Sequence, residues 1–349
     1  MTARHPDEDL ILAVDGGASK TDVWVLRTDG SVVGSARGDG SNHQLSGMDG
    51  AMDALGATID AALADAGATV GVGAGAGSTA RPAARTGVFC MAGLDLPADE
   101  ERLVEAIGSR EWVVTASVVN DTLAVLRAGA LAGWGVGVVC GSGLNCVGVG
   151  PDGSVVRFPS LGELSGDLAA GGSWLGVRAL GLALRSRDGR GGPTVLTEVV
   201  PAHFGLDDPE AVLSAVYTGS LAYGRLFELA RVCVEAASSG DEVASDAVGF
   251  LAGEVVAMVT AAAQRLGVVD DEVEVVLGGG LFDRGHPWFA DRIESAVREG
   301  VPRAVFRLLD AAPVLGSALL ALDASGASDE AKERLRATAR STTARATSP

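Results

Sequence analysis

Four glycine-containing turns follow apolar segments in this sequence of 349 residues, and the first has the composition of a phosphate-binding turn. Its sequence, DGGASKT over residues 15–21, joins two segments with the pattern of β-strands. Glycines let backbone N–H groups approach an anion because no Cβ stands in the way, while hydroxyls and an ammonium add donors. A plain hairpin is the alternative, because short glycine motifs recur by chance. The candidate phosphate-binding residues are Gly16, Gly17, Ser19, Lys20 and Thr21.

Two further turns could hold the same kind of ligand. Residues 140–145 form a second hairpin, and two hairpins of this type could grip a chain of phosphates from both sides. Residues 276–281 precede a predicted helix, so their flat backbone could admit an adenine ring while the helix N-terminus faces phosphate. The fourth turn, around Gly316, favours close helix packing over ligand contact. The candidate residues of the second and third turns are Gly141, Ser142, Gly143, Gly278, Gly279 and Gly280.

Two carboxylates lie at strand ends, where they could take part in catalysis. Asp15 ends the first predicted strand and is placed to hold Mg²⁺ through a water molecule. Asp121 follows the strand at residues 112–119 and opens a helix, so it could be a helix cap or a general base for an attacking hydroxyl. Both functions are compatible with one side chain. Phosphoryl transfer requires such a base together with Mg²⁺ and donors that stabilise the charge on phosphate.

Composition excludes several classes of partner and site. The formal net charge of −18 disfavours nucleic acid and anionic lipid surfaces. A polar, acidic N-terminus without a basic and then apolar stretch indicates a cytoplasmic protein, and we expect no spanning helix. The four cysteines lack CxxC spacing and the four histidines lack metal-binding spacing, so neither disulfides nor zinc are expected. The GxGxxG match at residues 148–153 lies between strands, and no Gly-Lys pair exists, which excludes Rossmann and P-loop sites.

Apolar periodicity predicts that these turns belong to a repeated α/β pattern. Predicted strands cover residues 10–15, 22–28, 31–37, 70–75, 86–92, 112–119, 136–140, 145–150, 154–158, 274–277 and 304–308. Predicted helices cover residues 48–63, 99–107, 121–131, much of 162–266, 287–297 and 313–322. The order of strands and helices in the first third returns after residue 120, which predicts two α/β lobes. The Ala-, Ser-, Thr- and Arg-rich segment after the last predicted helix, at residues 313–322, is predicted to be a flexible tail.

Taken in order, DGGASKT at 15–21, Asn120-Asp121, the glycine turns at 141–143 and 278–280, and Gly316 resemble the five-motif signature of the sugar kinase, actin and heat-shock chaperone superfamily. Within it, the chain resembles the N-acetylglucosamine kinase and BadF-type ATPase branch over about residues 10–322. The resemblance implies two ribonuclease H-like lobes with an interdomain active-site cleft that binds ATP, Mg²⁺ and a small-molecule sugar, in a homodimer. The implied lobes are residues 1–119, with the helix at 313–323 packing back on them, and residues 120–312; residues 324–349 would be the tail.

The resemblance also implies roles for single residues. Asp121 would take the proton from the sugar 6-hydroxyl. The sugar-binding residues would be Asn42, His43, Asn120, Asp121, Glu163 and Asp167. The loop after Asp167 departs from the Asp-Glu-Gly-Ser run of N-acetylglucosamine kinases, which puts acetamide recognition in doubt and favours glucosamine, whose ammonium Asp167 and Glu163 would bind. We interpret Trp174 as a core residue rather than a sugar contact. We interpret residues 187–193 as a solvated loop rather than a phosphate contact.

Three other functions are compatible with parts of the pattern. The first is phosphorylation of N-acetylglucosamine. The second is an activator ATPase that drives electron transfer to an acyl-CoA dehydratase or reductase; such proteins carry an iron-sulfur cluster on cysteines, and the apolar settings of these cysteines do not suit one. The third is a non-catalytic, nucleotide-binding regulator, which would bind ATP without sugar-stimulated ADP release. The sequence lacks the cysteine-rich zinc motif of repressor-type sugar kinases.

Overall fold

The computed structural model describes residues 10–68, 82–282 and 287–346. The chain divides into two compact units. Unit 1 contains Met1–Gly133 together with Leu309–Pro349, and unit 2 contains Trp134–Leu308. The strand predicted at residues 70–75 lies outside the described residues.

Each unit contains a five-stranded sheet in the part of the chain that the structure describes. The strands are β1 Leu10–Gly16, β2 Lys20–Arg27, β3 Val32–Asp39, β4 Ala84–Met91, β5 Val113–Asn120, β6 Gly135–Cys140, β7 Leu144–Val149, β8 Val155–Arg157, β9 Glu274–Gly278 and β10 Val305–Leu308. The order is β3-β2-β1-β4-β5 in unit 1 and β8-β7-β6-β9-β10 in unit 2. In both sheets the first three strands are antiparallel and the last two are parallel to the first. The second sheet therefore repeats the topology of the first, as the sequence pattern predicts.

Helices cover these sheets. The α-helices of the described residues are α1 His43–Asp65, α2 Pro97–Gly108, α3 Asp121–Gly129, α4 Gly172–Arg187, α5 Leu196–Phe204, α6 Pro209–Tyr217, α7 Leu229–Ser238, α8 Glu242–Leu266, α9 Trp288–Gly300, α10 Val314–Ala324 and α11 Asp329–Ala346. In unit 1, the central strand β1 is buried on both faces because its residues alternate between two cores. Leu12 and Val14 pack with α1 and α2, whereas Ile11 and Ala13 pack with α3 and α10.

Helix α8 is the longest helix described, and it packs on β7, α7 and α9 of unit 2. It is also long and apolar enough to cross a membrane by length and composition, contrary to the expectation from the sequence. Half of its most apolar window is buried inside the protein, which is typical of a core helix. Its buried stripe includes Leu251, Val255 and Val259, which are spaced four residues apart.

The C-terminal segment differs from the prediction of a flexible tail from residue 324. Residues 329–346 form α11, whose Ala331, Leu335 and Ala339 are buried against unit 1. The guanidinium of Arg336 donates to the carbonyl oxygen of Ala128 at 2.7 Å, at the C-terminal end of α3. The sequence signal was weak because only one apolar residue per helical turn supports the helix. We therefore correct the prediction of a flexible tail: this segment packs on unit 1 as far as residue 339.

The boundary between the units also differs from the prediction, which placed α3 at the start of the second lobe. Helix α3 belongs to unit 1, whose first segment ends at Gly133. The physical reason is a close crossing of α3 and α10. A Cβ at Gly316 would stand 1.8 Å from the carbonyl oxygen of Ala124, so glycine lets the two helix backbones touch.

Candidate functional site

The first glycine turn is a tight hairpin between β1 and β2. The N–H of Gly17 donates to the carbonyl oxygen of Lys20 at 2.9 Å, which closes the turn. A Cβ on Gly16 would stand 2.6 Å from Ser41 Oγ and 2.7 Å from Met91 Sδ, so a larger residue there would force these side chains to shift. Ser19 is exposed at the tip, where its hydroxyl and backbone can reach a ligand.

Lys20 lies on β2 and is already paired in this structure. Its ammonium contacts Asp22 at 3.0 Å, and the guanidinium of Arg37 contacts the same carboxylate at 2.6 Å. Asp22 is buried and is the register partner of Asp15 on β1. The predicted phosphate ligand Lys20 is therefore held beside Asp15 by a buried acid that the sequence analysis did not single out.

Thr21 does not take the position predicted for a phosphate donor. Its side chain is fully buried, and Thr21 Oγ1 lies 2.7 Å from the carbonyl oxygen of Asp39 and 2.8 Å from Ser41 Oγ. Strand β2 is buried on both faces near this residue, so alternation could not show where the hydroxyl points. We correct the prediction: the structure assigns the Thr21 hydroxyl to an internal contact rather than to a phosphate.

Asp15 and Asp121 are two carboxylates of unit 1 whose pKa values are both raised. Burial, followed by the negative charges of Asp121 and Asp22, raises the pKa of Asp15 to about 7, although Lys20 and Arg37 oppose this shift. Burial, followed by the negative charge of Asp95, raises the pKa of Asp121 to about 6, against the lowering effect of backbone N–H groups. Such pairs of shifted carboxylates are typical of functional sites.

Asn120, not Asp121, caps α3. The Asn120 Oδ1 atom accepts from the backbone N–H of Thr122 at 3.0 Å, and Asn120 Nδ2 donates to the carbonyl oxygen of Leu94 at 3.1 Å. Asn120 is buried, and both ends of its amide have protein partners. These contacts do not support the predicted sugar contact through its side chain. Asp121, the first residue of α3, is consequently spared from capping and is available for chemistry.

A loop between β4 and α2 adds a carboxylate that the sequence analysis missed. Asp95 is half-buried, and Gln44 Nε2 contacts both Asp95 Oδ2 and the carbonyl oxygen of Gly93 at 3.0 Å. Gln44 lies in the first turn of α1, so α1 and the cap of α3 hold the loop from two sides. No periodic pattern marks Asp95 in the sequence, because it lies in a loop.

The predicted sugar-loop residues Asn42 and His43 have different environments. Asn42 is the half-buried N-cap of α1, where its Oδ1 accepts from the N–H of Gln44 at 2.8 Å, so its amide NH₂ is the group left for a ligand. His43 is buried, and its Nε2 lies 3.2 Å from Asp99 Oδ1 at the start of α2. That contact joins α1 to α2 and does not support His43 as a sugar ligand.

In unit 2, the start of α4 packs directly on the turn at 141–143. The N–H of Gly172 donates to the carbonyl oxygen of Gly141, and that of Ser173 to Ser142, both at 2.8 Å. Gly171 has a φ of +82°, and a Cβ there would stand 2.3 Å from the carbonyl oxygen of Gly143. Ser142 and Gly143 are exposed at the tip, as Ser19 is in unit 1.

The turn at 278–280 lies beside the same hairpin. Gly279 has a φ of +105°, and a Cβ there would stand 2.4 Å from the carbonyl oxygen of Cys140. The N–H of Leu281 donates to that oxygen at 3.1 Å. The structure thus brings the second and third glycine turns together. Arg231 of α7 adds a cation unforeseen from the sequence, since its Nε donates to the carbonyl oxygen of Gly280 at 3.1 Å.

The two acids of the loop before α4 differ in exposure. Asp167 is buried, and its Oδ2 accepts from the hydroxyl of Ser165 at 2.6 Å. Glu163 is exposed in the 3-10 turn Gly162–Ser165. The N–H of Leu168 donates to Glu254 on α8 at 2.9 Å, which fixes the backbone just after Asp167. Of the two acids, only Asp167 has an ordered, protected position.

Trp174 and the loop at 187–193 have the environments expected of a core residue and of a solvated loop. Trp174 is half-buried against the core of unit 2 and stacks on Phe250 with ring centroids 5.6 Å apart. In the loop 187–193, Arg187 pairs with Glu210 and Arg190 with Asp188, so these cations have local partners.

The donor set around Asp15 suits Mg²⁺ better than a softer metal. No group of three or more His, Cys, Asp or Glu side chains in the described residues could enclose a metal ion. Mg²⁺ is commonly held by one or two carboxylates and completes its shell with waters and substrate phosphates. A buried carboxylate whose pKa is raised by its neighbours' negative charge would be stabilised by such a cation.

Comparison with protein families matches residues 12–321 to the BadF/BadG/BcrA/BcrD ATPase family. Among curated proteins, the chain is 24% identical over 326 residues to the N-acetyl-D-glucosamine kinase of Dictyostelium discoideum, covering 90% of this chain and 98% of that one. It is 25% identical over 275 residues to the N-acetylmuramic acid/N-acetylglucosamine kinase of Clostridium acetobutylicum, covering 78% of this chain and 85% of that one.

Among solved structures, a proposed N-acetylglucosamine kinase from Chromobacterium violaceum superimposes with a TM-score of 0.66 at 23% identity, covering 90% of this chain and 99% of that one. This similarity confirms the predicted fold class, a mixed α/β protein of the sugar kinase and actin-like ATPase type. The family match spans most of the chain, including every motif from Asp15 to Gly316. This chain belongs to the BadF/BadG/BcrA/BcrD ATPase family.

Proposed function

We propose that the chain is a sugar kinase that transfers the γ-phosphoryl group of Mg-ATP to the 6-hydroxyl of an amino sugar, with N-acetylglucosamine as the favoured substrate. One structural observation carries the proposal of catalysis. Asn120 caps α3, and the next residue, Asp121, presents a carboxylate with a pKa of about 6 whose negative charge raises the pKa of Asp15. A general base works best when its pKa lies near the operating pH.

In the proposed reaction, Asp121 is ionised near pH 7 and accepts the proton of the sugar hydroxyl. The hydroxyl oxygen forms a bond to the γ-phosphorus as the bond to the bridging oxygen breaks, and ADP leaves. Asp15 would hold Mg²⁺, which neutralises charge on the phosphates when bound. In unit 1, Gly16, Gly17, Ser19 and Lys20 would contact phosphate. In unit 2, the turns at 141–143 and 278–280 would contact the nucleotide.

We base the proposed sugar substrate on the curated relatives rather than on the sequence of the loop after Asp167. The departure after Asp167 favoured glucosamine, but both curated relatives carry N-acetylglucosamine in their names. The exposure of Glu163 also weakens the glucosamine hypothesis, since it leaves Asp167 as the one protected acid of that loop. We assign Asn42 and Asp167 to the sugar, through an amide NH₂ and a carboxylate that can bind hydroxyl groups. Homodimer formation and a cytoplasmic location stay predictions.

A substrate panel tests the proposal. We expect N-acetylglucosamine to stimulate ADP release by the purified protein with Mg-ATP, at a kcat/KM roughly tenfold or more above those for glucosamine, glucose and mannosamine. A kcat/KM higher for glucosamine than for N-acetylglucosamine would instead support the hypothesis that the loop acids bind the ammonium of glucosamine. If the protein binds ATP but no sugar stimulates ADP release, the result would support the nucleotide-binding regulator instead. The activator ATPase is disfavoured because all four cysteines are buried and unpaired inside the units.

The acid side of the pH profile provides a second test. Because protonated Asp121 cannot accept a proton, kcat/KM should fall as pH drops through about 6. The charge of Asp95 raises the pKa of Asp121, so Asp95→Asn should lower that pKa and move the fall to lower pH by roughly half a unit. The exposed acid Asp53 provides a control, since Asp53→Asn should leave the profile in place. A shift to higher pH in Asp95→Asn would contradict the assignment of Asp121.

A further inference from the structure

Two buried hydroxyls connect the hairpin at 16–21 to the loop that precedes Asn42. Thr21 and Ser41 are both fully buried, with their oxygens 2.8 Å apart. Thr21 Oγ1 also lies 2.7 Å from the carbonyl oxygen of Asp39, which can only accept. The Thr21 hydroxyl therefore bridges the carbonyl oxygen of Asp39 and the hydroxyl of Ser41. The Ser41 hydroxyl thus has its hydrogen-bond partner on the hairpin strand.

Backbone contacts make the same connection rigid. The N–H of Ser41 donates to the carbonyl oxygen of Gly17 at 3.1 Å. A Cβ on Gly40 would stand 2.2 Å from the carbonyl oxygen of Ala18, and a Cβ on Gly16 would stand 2.6 Å from Ser41 Oγ. The hairpin and the loop at 39–41 are thus in direct contact without room for an extra methyl group. A shift of one backbone must move the other.

The next residue along the chain is Asn42, which begins α1 and whose amide NH₂ we assign to the sugar. Asn42 is bonded on one side, by the N–H of Gln44 to its Oδ1. Its carbonyl oxygen also accepts from the N–H groups of Leu45 and Ser46 in the first turn of α1, so the backbone of Ser41 is its constraint on the N-terminal side. The hydroxyl pair therefore lies between residues assigned to phosphate and the residue assigned to the sugar.

We propose that Thr21 and Ser41 are positioning residues that couple the nucleotide hairpin to the sugar loop, so that binding of nucleotide tightens binding of sugar. This inference rests on the proposed function. Phosphate ordering the hairpin fixes Ser41 through its N–H and its hydroxyl, and Ser41 fixes Asn42. The sugar then binds a loop that has already lost its freedom.

The test compares Thr21→Val, Thr21→Ser and Ser41→Ala with the wild type. Calorimetric titration gives the Kd of N-acetylglucosamine with and without a non-hydrolysable ATP analogue and Mg²⁺; the ratio of the two is the coupling factor. For the wild type we expect a factor between about 5 and 150, the usual range for linked sites. Thr21→Val and Ser41→Ala should bring it to within about twofold of one, whereas Thr21→Ser, which keeps the hydroxyl, should retain most of it.

Ser31→Ala is the matched control, since Ser31 makes a hydroxyl contact to Asp29 in the exposed turn of the same sheet. It should leave the coupling factor unchanged. A purely structural role for the pair would weaken both ligands in parallel and lower Tm while the factor stayed at its wild-type value, and that result would overturn the inference. A wild-type factor of one would also overturn it. Failure of the wild type to bind any sugar would instead overturn the proposed function.

Discussion

Asp121→Asn is expected to lower kcat by ~10²-fold or more while ATP and sugar still bind with nearly unchanged affinity. Asparagine keeps the shape of the side chain but cannot take a proton from the attacking hydroxyl. The helix itself should survive, because its cap is Asn120 and the capping bonds do not involve the Asp121 side chain. Removing a half-buried carboxylate with a raised pKa should leave stability equal or slightly higher at pH 7.

Single-turnover kinetics of ADP formation, together with titration of each ligand, separate chemistry from binding. Glu198→Gln is the matched control, because Glu198 is another first-turn acid, on α5, and is exposed. Its kcat should stay within about twofold of the wild-type value, as is usual for a surface substitution. Near-normal turnover in Asp121→Asn would remove Asp121 from the mechanism and with it the proposed assignment of the base.

Gly316→Ala is expected to destabilise unit 1 by at least about 3 kcal/mol or to prevent its folding. The added methyl would occupy the position of the Ala124 carbonyl, 1.8 Å away, where two helix backbones meet. Backbone atoms cannot yield as a side chain can, so α10 and α3 would have to separate across a core that includes Leu315 and Leu319. Urea denaturation monitored by circular dichroism measures the loss.

The control for this substitution is Gly108→Ala in the same unit. Gly108 is the last residue of α2, and a Cβ there would meet no atom within 4 Å. Alanine is favoured over glycine in a helix by up to about 1 kcal/mol, so this variant should be as stable as the wild type or more so. A Gly316→Ala protein whose unfolding midpoint matched the wild type would contradict the close crossing of α3 and α10.

Much of the fold could be predicted from the sequence because the spacing of apolar residues indicates where strands and helices lie. The meander of β1, β2 and β3 and its repeat in unit 2 follow from short apolar segments separated by glycine turns. The exceptions have local physical causes. Helix α11 relies on Ala331, Leu335 and Ala339 in an otherwise polar segment, so its hydrophobic signal is small. The contacts of α10 that place α3 in unit 1 join residues almost 200 positions apart, which no local pattern reveals.

The candidate site was predictable in its residue types but less so in their contacts. Glycine turns and strand-end acids can be recognised because their chemistry is local. Which of Asn120 and Asp121 caps α3 depends on backbone direction, and the position of Asp95 depends on a loop held by Gln44. Burial of Thr21 depends on packing against both faces of its strand. Each of these is a tertiary property, decided by residues distant in sequence.

Unit 2 is inserted into unit 1, whose strands precede it and whose α10 and α11 follow it. On the ribosome, residues 134–308 can therefore finish folding while the first sheet still lacks one of its covering layers. Until α10 emerges, the apolar face formed by Ile11, Ala13 and Val88 is left open to water or to a chaperone. The part of the chain that is made first is thus the last to be completed, because α3, the helix that Asp121 begins, packs on α10.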